Sequence, residues 1–281
     1  MRRLRVTGLA RAAVLVLGTW LALAAGAAGA SGASGASSAA AFSGQEPGYL
    51  LDLSTARVDA VLEAVVDHLR GGPLRGTYTF VVQRPGRSTE YVMEIVSDGD
   101  QRGLIRVTAP PREAGQAFLM DGDDLWLYNA RLGRSLRLPP SGRTGAFLGS
   151  DVSYNDIVGR DLERDYVAAF AEESSSEGLI VLELTPRPGA PTPYGRVLIG
   201  VEAERLAPRW VDYYDQRGQV VKRLTLSEYL EDGGRFLPLL MEVEDRIRQG
   251  NRTVVRLSGV ELDAAVPESC FTLQALERGC P

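Results

Sequence analysis

Thirty-six acidic side chains, a single histidine and two cysteines are the raw material for chemistry in this 281-residue sequence. His68 stands alone, so there is nothing from which to build a histidine-based hydrolytic triad or a multi-histidine metal site. It falls near the end of a helical stretch, where a solvated imidazole favouring the helix dipole is the expectation. Carboxylates are the other acid/base candidates, because two of them a few ångströms apart in a cleft can protonate a leaving group and activate water. They occur in short groups: Asp98 with Asp100, then Asp121, Asp123 and Asp124, then Asp151, Asp156 and Asp161. The first two groups enclose Gly99 and Gly122 and read as tight reversals. The third matches no calcium-loop spacing. Acids are everywhere but no constellation singles out a pair, so the sequence predicts a protein that is not an enzyme, with no catalytic residue, no metal and no cofactor. Cys270 and Cys280 permit one pairing in an oxidising compartment; the loop closed would be short and the tail around it looks frayed. Two unpaired thiols are the alternative.

The elements that would have to position such groups follow from composition and pattern. The chain is 44% hydrophobic and 24% charged, within the range of soluble globular domains. Lys and Arg total 31 against 36 acids, a net charge of −5, which offers no basic footprint for nucleic acid. Residues 1–30 carry Arg2, Arg3, Arg5 and Arg11, then the apolar run from Val14 to Ala25, then small residues with one A-x-A site at Ala28-Gly29-Ala30 and another beyond it at Ala39-Ala40-Ala41: the layout of a cleaved export signal. Removing it would leave 27 basic against 36 acidic residues. Residues 31–48 read as a Gly/Ala/Ser-rich linker, and 49–281 as one domain.

Residues 54–70 place Val58, Val61, Leu62, Val65, Val66 and Leu69 on one helical stripe, with Ser54 or Thr55 as N-cap and Gly71-Gly72-Pro73 as the stop. Beyond Gly76 the apolar period switches from 3.6 to 2. Strands are predicted at 77–84, 89–96, 104–108, 117–120, 125–129, 166–171, 179–185, 195–202, 209–214, 220–229, 235–245 and 253–262, separated by Gly-containing turns. No helical pattern interrupts them, which excludes βαβ crossovers and predicts an antiparallel sheet. So wide a sheet must curl, and one helix cannot cover its apolar face. Tyr78, Phe80, Met93, Ile95, Trp126, Leu182, Trp210, Leu239 and Met241 are the expected inward residues. The segment 143–156 lies between strands and has two readings. It is either a mobile flap or partner loop using Gly149, Ser150, Asp151 and Tyr154, or a short helix capped by Ser153 or Asp151 with Tyr154 packed inward.

Several stretches, taken in order, resemble the outer-membrane lipoprotein-sorting proteins, the LolA/LolB-like family, and most closely its longer branch. They are Leu104–Pro111, Ala117–Tyr128, Gly133–Leu138, Gly149–Asp156, Pro193–Arg196, Tyr213–Lys222 and Val266–Leu273. The chain departs from the branch at Val152, Asn155 and Cys270, where phenylalanine, glutamate and an acidic or apolar residue are usual. The resemblance implies an α+β, mainly β fold: an open antiparallel half-barrel of about eleven strands, with an N-terminal helix and a short helical segment covering the concave face. It also implies a periplasmic carrier of lipoprotein acyl chains or other lipids, working between an inner-membrane transporter and an outer-membrane acceptor. In such a groove the nine inward residues would be the lipid contacts, each buried CH2 contributing about 0.8 kcal/mol. The alternatives are a non-catalytic envelope adaptor docking by its sheet edge, and a lipid or glycan hydrolase using carboxylates.

Overall fold

The computed structural model describes residues 58–70, 72–157, 162–171, 178–190 and 192–280. The expected export signal and linker, the N-cap residues Ser54 and Thr55, and Asp161 lie outside the described residues.

Helix α1 (Val58–Arg70) is followed by six strands: β1 (Pro73–Arg84), β2 (Arg87–Asp98), β3 (Arg102–Ala109), β4 (Ala117–Asp121), β5 (Asp124–Asn129) and β6 (Arg134–Arg137). Seven more close the chain: β7 (Tyr166–Phe170), β8 (Leu179–Pro186), β9 (Arg196–Glu202), β10 (Pro208–Tyr214), β11 (Val220–Asp232), β12 (Arg235–Asp245) and β13 (Arg252–Leu262). All thirteen form one antiparallel sheet in the order β6-β5-β4-β3-β2-β1-β13-β12-β11-β10-β9-β8-β7. The sheet is thus two meanders joined where β1 pairs with β13, with Phe80 opposite Val255. It is open, with β6 and β7 at opposite edges. The strand absent from the sequence reading is β6. It has four residues, is largely exposed and carries Arg134 and Arg137, the charged short edge that discourages sheet-to-sheet association.

The inner face carries two apolar clusters. One gathers Phe80, Met93, Ile95, Phe118, Leu125 and Leu237 around Phe147. The other packs Val61, Leu62, Val65 and Val66 of α1 against Ile180, Leu182, Val197 and Val211. The predicted helical stripe is therefore the buried face of α1. Because β6 and β7 are consecutive in sequence but lie at opposite edges, the chain between them must traverse the sheet. This connection contains two short 3-10 turns (Pro140–Thr144 and Phe147–Gly149) and the single-turn helices α2 (Tyr154–Ile157) and α3 (Leu162–Asp165).

Three expectations need correction. His68 is buried rather than solvated: the Phe236 N–H donates to its Nδ1 (3.2 Å), and its Nε2–H donates to the Arg205 carbonyl (3.0 Å). These partners are 168 and 137 residues away in sequence, so no local pattern announced them. The C-terminal tail is not frayed. Phe271, Ala275 and Leu276 pack on the outer face against Val96, Leu104, Ala117 and Leu119. Helix α4 (Leu273–Arg278) is capped by Thr272, whose Oγ1 accepts from the Ala275 N–H (3.1 Å). Arg106 holds its far end by donating to the carbonyls of Ala275 (3.0 Å) and Leu276 (2.8 Å). Cys270 and Cys280 are joined by a disulfide within this tail. Finally, the inner face is less bare than one helix would leave it, since the β6–β7 connection fills much of it with Phe147, Val152, Tyr154 and Ile157.

Candidate functional site

What the helix and the connection leave unfilled is a cavity of about 370 Å³ on the inner face. That lies within the roughly 300–1,000 Å³ typical of small-molecule sites. Its walls alternate by strand: Tyr78 and Phe80 from β1, Ile95 from β2, Leu224 and Leu226 from β11, Met241 and Val243 from β12. Val66 and Leu69 of α1 close one side, and Val152, Ile157 and Leu162 of the connection pass over it. The turn from Gly99 to Gly103 forms a polar rim. Gly99 has φ +80°, and a Cβ there would lie 2.2 Å from the backbone of Gly72, so only glycine allows the rim to sit this close to the end of α1.

The connection is fastened at three points. Phe147, fully buried, is surrounded by the rings of Phe80, Phe118 and Tyr154 at centroid distances of 5.7, 4.7 and 5.6 Å. Asp151 accepts from Arg84 Nη1 (2.8 Å) and Thr253 Oγ1 (2.8 Å), while Arg84 Nη2 donates to the Gly149 carbonyl (2.7 Å). Asp156 accepts from Lys222 Nζ at 2.6 Å. Ser153 caps α2: its Oγ accepts from the Asp156 N–H (3.2 Å), and its own N–H donates back to Asp156 (2.7 Å). The short-helix alternative for this segment is what the structure shows, with Tyr154 packed inward. Burial raises the pKa of the Tyr154 phenol. In the anchored stretch Ser150 is buried and Asp151 half-buried, while Gly149 is exposed.

Of the nine expected inward residues, Tyr78, Phe80, Ile95 and Met241 line the cavity. Met93 and Leu182 are fully buried in the two inner clusters, and Leu239 packs against the first; they support the walls without reaching the void. Trp126 and Trp210 lie on the outer face. Trp126 faces the C-terminal tail, because that half of the sheet is covered on both sides and both faces of β5 are consequently apolar. Trp210 lies over Gly200, where a Cβ would come within 2.2 Å of the indole, and under the Arg223 guanidinium, 5.5 Å from its ring. Arg223 in turn grips buried Asp212 with both Nε (2.6 Å) and Nη2.

One end of the cavity is polar, and the sequence reading assigned nothing there. Lys222 and Tyr213 face each other across the β10–β11 register, and Asn155, Asp156, Tyr166 and Tyr194 complete the wall. The ammonium sits 5.4 and 5.3 Å from the Tyr194 and Tyr213 ring centroids. Burial first, and then the charge of Asp156, drive the Tyr213 pKa far upward, so it remains a neutral phenol. Tyr78, at the apolar wall, is pushed up to about 12 by burial alone. A signal for this pole was present: Lys222 is the only lysine in the chain, every other basic residue being arginine. Among the described residues no cluster of His, Cys, Asp or Glu could hold a metal, and no helix is long and apolar enough to cross a membrane. Asp151 and Asp156 are committed to Arg84 and Lys222.

A family model described as "Uncharacterized protein" matches residues 99–278, and the chain belongs to that family. Among curated proteins none matches in sequence. Three solved structures share the fold. A putative outer membrane lipoprotein-sorting protein domain from Vibrio parahaemolyticus is 22% identical with a TM-score of 0.69, over 78% of this chain and 97% of that one. A DUF1329 family protein from Desulfovibrio piger ATCC 29098 is 24% identical with a TM-score of 0.70, over 79% and 100%. A LolA superfamily protein from Nitrosomonas europaea is 23% identical with a TM-score of 0.66, over 78% and 99%. The chain therefore has the LolA-like fold, with thirteen strands where about eleven were expected.

Proposed function

We propose that this member of the family is an exported lipid or lipoprotein carrier. It holds acyl chains in the inner-face cavity and passes them between membrane partners in the periplasm. The observation that carries the reading is the cavity itself: an apolar void of about 370 Å³, walled by strands from both meanders and roofed by an anchored connection. A void this size lined by Tyr78, Phe80, Ile95, Leu226 and Met241 gains free energy by taking in hydrocarbon, at about 0.8 kcal/mol per CH2 removed from water. The adaptable Met241 thioether suits tails of irregular shape. Such binding is reversible and needs no covalent step, in keeping with a site whose one lining lysine and its neighbouring carboxylate are already paired. The LolA-like fold supports the same reading, and the amino-terminal segment read as an export signal supports the periplasmic location. The inner-membrane and outer-membrane partners belong to this proposal as well.

Mass spectrometry of lipids extracted from the purified protein tests it. A carrier co-purifies with stoichiometric acyl species that do not change with incubation. Release of a hydrolysis product over time would favour an enzyme. Absence of any lipid, together with failure of the delipidated protein to bind fluorescent acyl probes, would leave an adaptor.

A further inference from the structure

The single lysine of the chain stands at the polar end of the cavity, and its surroundings specify what it can receive. Asp156 Oδ2 already accepts three hydrogen bonds, from the Ser153 N–H (2.7 Å), the Ser153 hydroxyl (2.8 Å) and Lys222 Nζ (2.6 Å). That oxygen is saturated, and the charge of the carboxylate is already matched by Lys222. Donors are what it has to spare. An ammonium carries three N–H groups and one is engaged with Asp156. The Tyr213 hydroxyl, opposite Lys222 in the register, has no hydrogen-bond partner among the described residues. Charge sets the second constraint. Lys222 and Asp156 neutralise each other, with side chains only 14% and 19% exposed. A carboxylate or phosphate entering beside them would bury an uncompensated negative charge next to Asp156, at high cost in so dry a site. A carbonyl oxygen can accept the same N–H and O–H donors with no net charge.

We propose that Lys222 and Tyr213 form a subsite for the uncharged acyl carbonyl, ester or amide, at the head of a bound chain, so that the cavity selects acylated molecules over free fatty acids. This inference rests on the reading of the cavity as an acyl-chain site and adds a headgroup preference to it. An ester source would be a glycerolipid or a diacylglyceryl group, and an amide source an N-acylated amine.

The test uses the delipidated full chain carrying an uncharged, environment-sensitive naphthylamine probe. The probe is displaced by four ligands built on the same ten-carbon chain: decane, methyl decanoate, N-methyldecanamide and ionised decanoate. The ester, the amide or both should displace it at about tenfold lower concentration than decane, the worth of one buried charge-assisted hydrogen bond, and decanoate should be weaker than either. Whichever carbonyl ligand prevails identifies the source. Lys222→Met should remove most of the advantage of the carbonyl ligands over decane, leaving the smaller part that the Tyr213 hydroxyl supplies. Tyr213→Phe should reduce the same preference by a smaller factor. Asp156→Asn, which frees the ammonium from its counter-charge, should turn the preference toward decanoate. An amine-reactive reagent read at Lys222 in the unmodified chain provides a check independent of any variant, with methyl decanoate protecting the lysine better than decane. Binding of decane with no carbonyl preference, or a wild-type preference for decanoate, overturns the subsite alone. Failure of decane and probe to bind overturns the acyl-chain reading, and the subsite with it.

Discussion

Removing the Arg84 side chain beyond its aliphatic part, as in Arg84→Met, tests whether the connection between β6 and β7 is held by the contacts described. The substitution deletes three hydrogen bonds, one to the neighbouring Gln83 carbonyl (2.7 Å) and two to the connection, to Asp151 Oδ2 at 2.8 Å and to the Gly149 carbonyl at 2.7 Å. It leaves the Asp151 carboxylate, 6% exposed, with Thr253 Oγ1 as its remaining side-chain partner. Hydrogen bonds to charged groups contribute about 1.5–3 kcal/mol each, and Arg84 is itself partly accessible, so the loss should be about 2–4 kcal/mol. If that energy holds the connection closed rather than stabilising the sheet as a whole, its opening constant rises roughly thirty- to several-hundred-fold, since each 1.4 kcal/mol is a factor of ten. Native-state hydrogen exchange reads this directly. The amide of Phe147, bonded to Val152 O at 2.8 Å, and that of Ser150, bonded to Phe147 O at 2.9 Å, should exchange faster by that factor. Amides at the β1–β13 joint should change much less. Rates at Phe147 and Ser150 within a factor of about three of the parent, or an equal acceleration at the joint, would refute the reasoning.

Asp98 ends β2, directly before the turn that forms the cavity rim. Burial pulls its pKa up, but hydrogen bonds from the Arg102 side chain and from the N–H groups of Arg102 and Asp100 outweigh this and hold it below the ordinary value of 3.8. A depressed carboxyl stabilises the fold above its unfolded pKa, near 4, and loses that contribution as pH falls through the folded value, so Asp98→Asn should flatten the acid limb of a stability–pH curve. Gly200→Ala must displace the Trp210 indole and should cost about 1–3 kcal/mol in urea denaturation, while Trp210→Ala in the same background should recover part of the loss. Replacing both Cys270 and Cys280 by serine removes a cross-link between residues ten apart, worth about 2–3 kcal/mol in the loop-entropy model. The loosened tail should red-shift Trp126 emission, recorded in a background carrying Trp20→Phe and Trp210→Phe, and an unshifted spectrum would show that packing alone holds the tail.

Much of the architecture was legible because period-2 patterns are local. Twelve of the thirteen strands and the buried face of α1 follow from alternation and turn chemistry, and β6 was missed because an exposed four-residue edge strand has no apolar face to mark it. The inside–outside assignment was less legible. Trp126 and Trp210 alternate correctly with their neighbours, but the choice of face depends on what covers each side. That is settled by the tail around Phe271 in one case and by the Gly200 and Arg223 contacts in the other. His68 was misplaced for the same reason, its partners being remote in sequence. At the candidate site the apolar wall was partly foreseen through Tyr78, Phe80, Ile95 and Met241, whereas the pole was not. Lys222 and Asp156 meet across 66 residues, and only the rarity of lysine hinted that this one was placed for a purpose.

The joint between β1 and β13 bears on how the chain is made. Synthesis runs from the amino terminus, so β1 is among the first strands produced and β13 is the last: Val255 follows its partner Phe80 by 175 residues. The β1–β2 hairpin can form at once, as can each later hairpin, because their partners are neighbours in sequence. One long side of β1 must nevertheless wait, its backbone groups unpaired, until the chain has been made through Leu262. An open strand edge with Leu74, Phe80 and Val82 on one face is a template for mispairing, which makes this waiting period the time of greatest aggregation risk for the nascent chain.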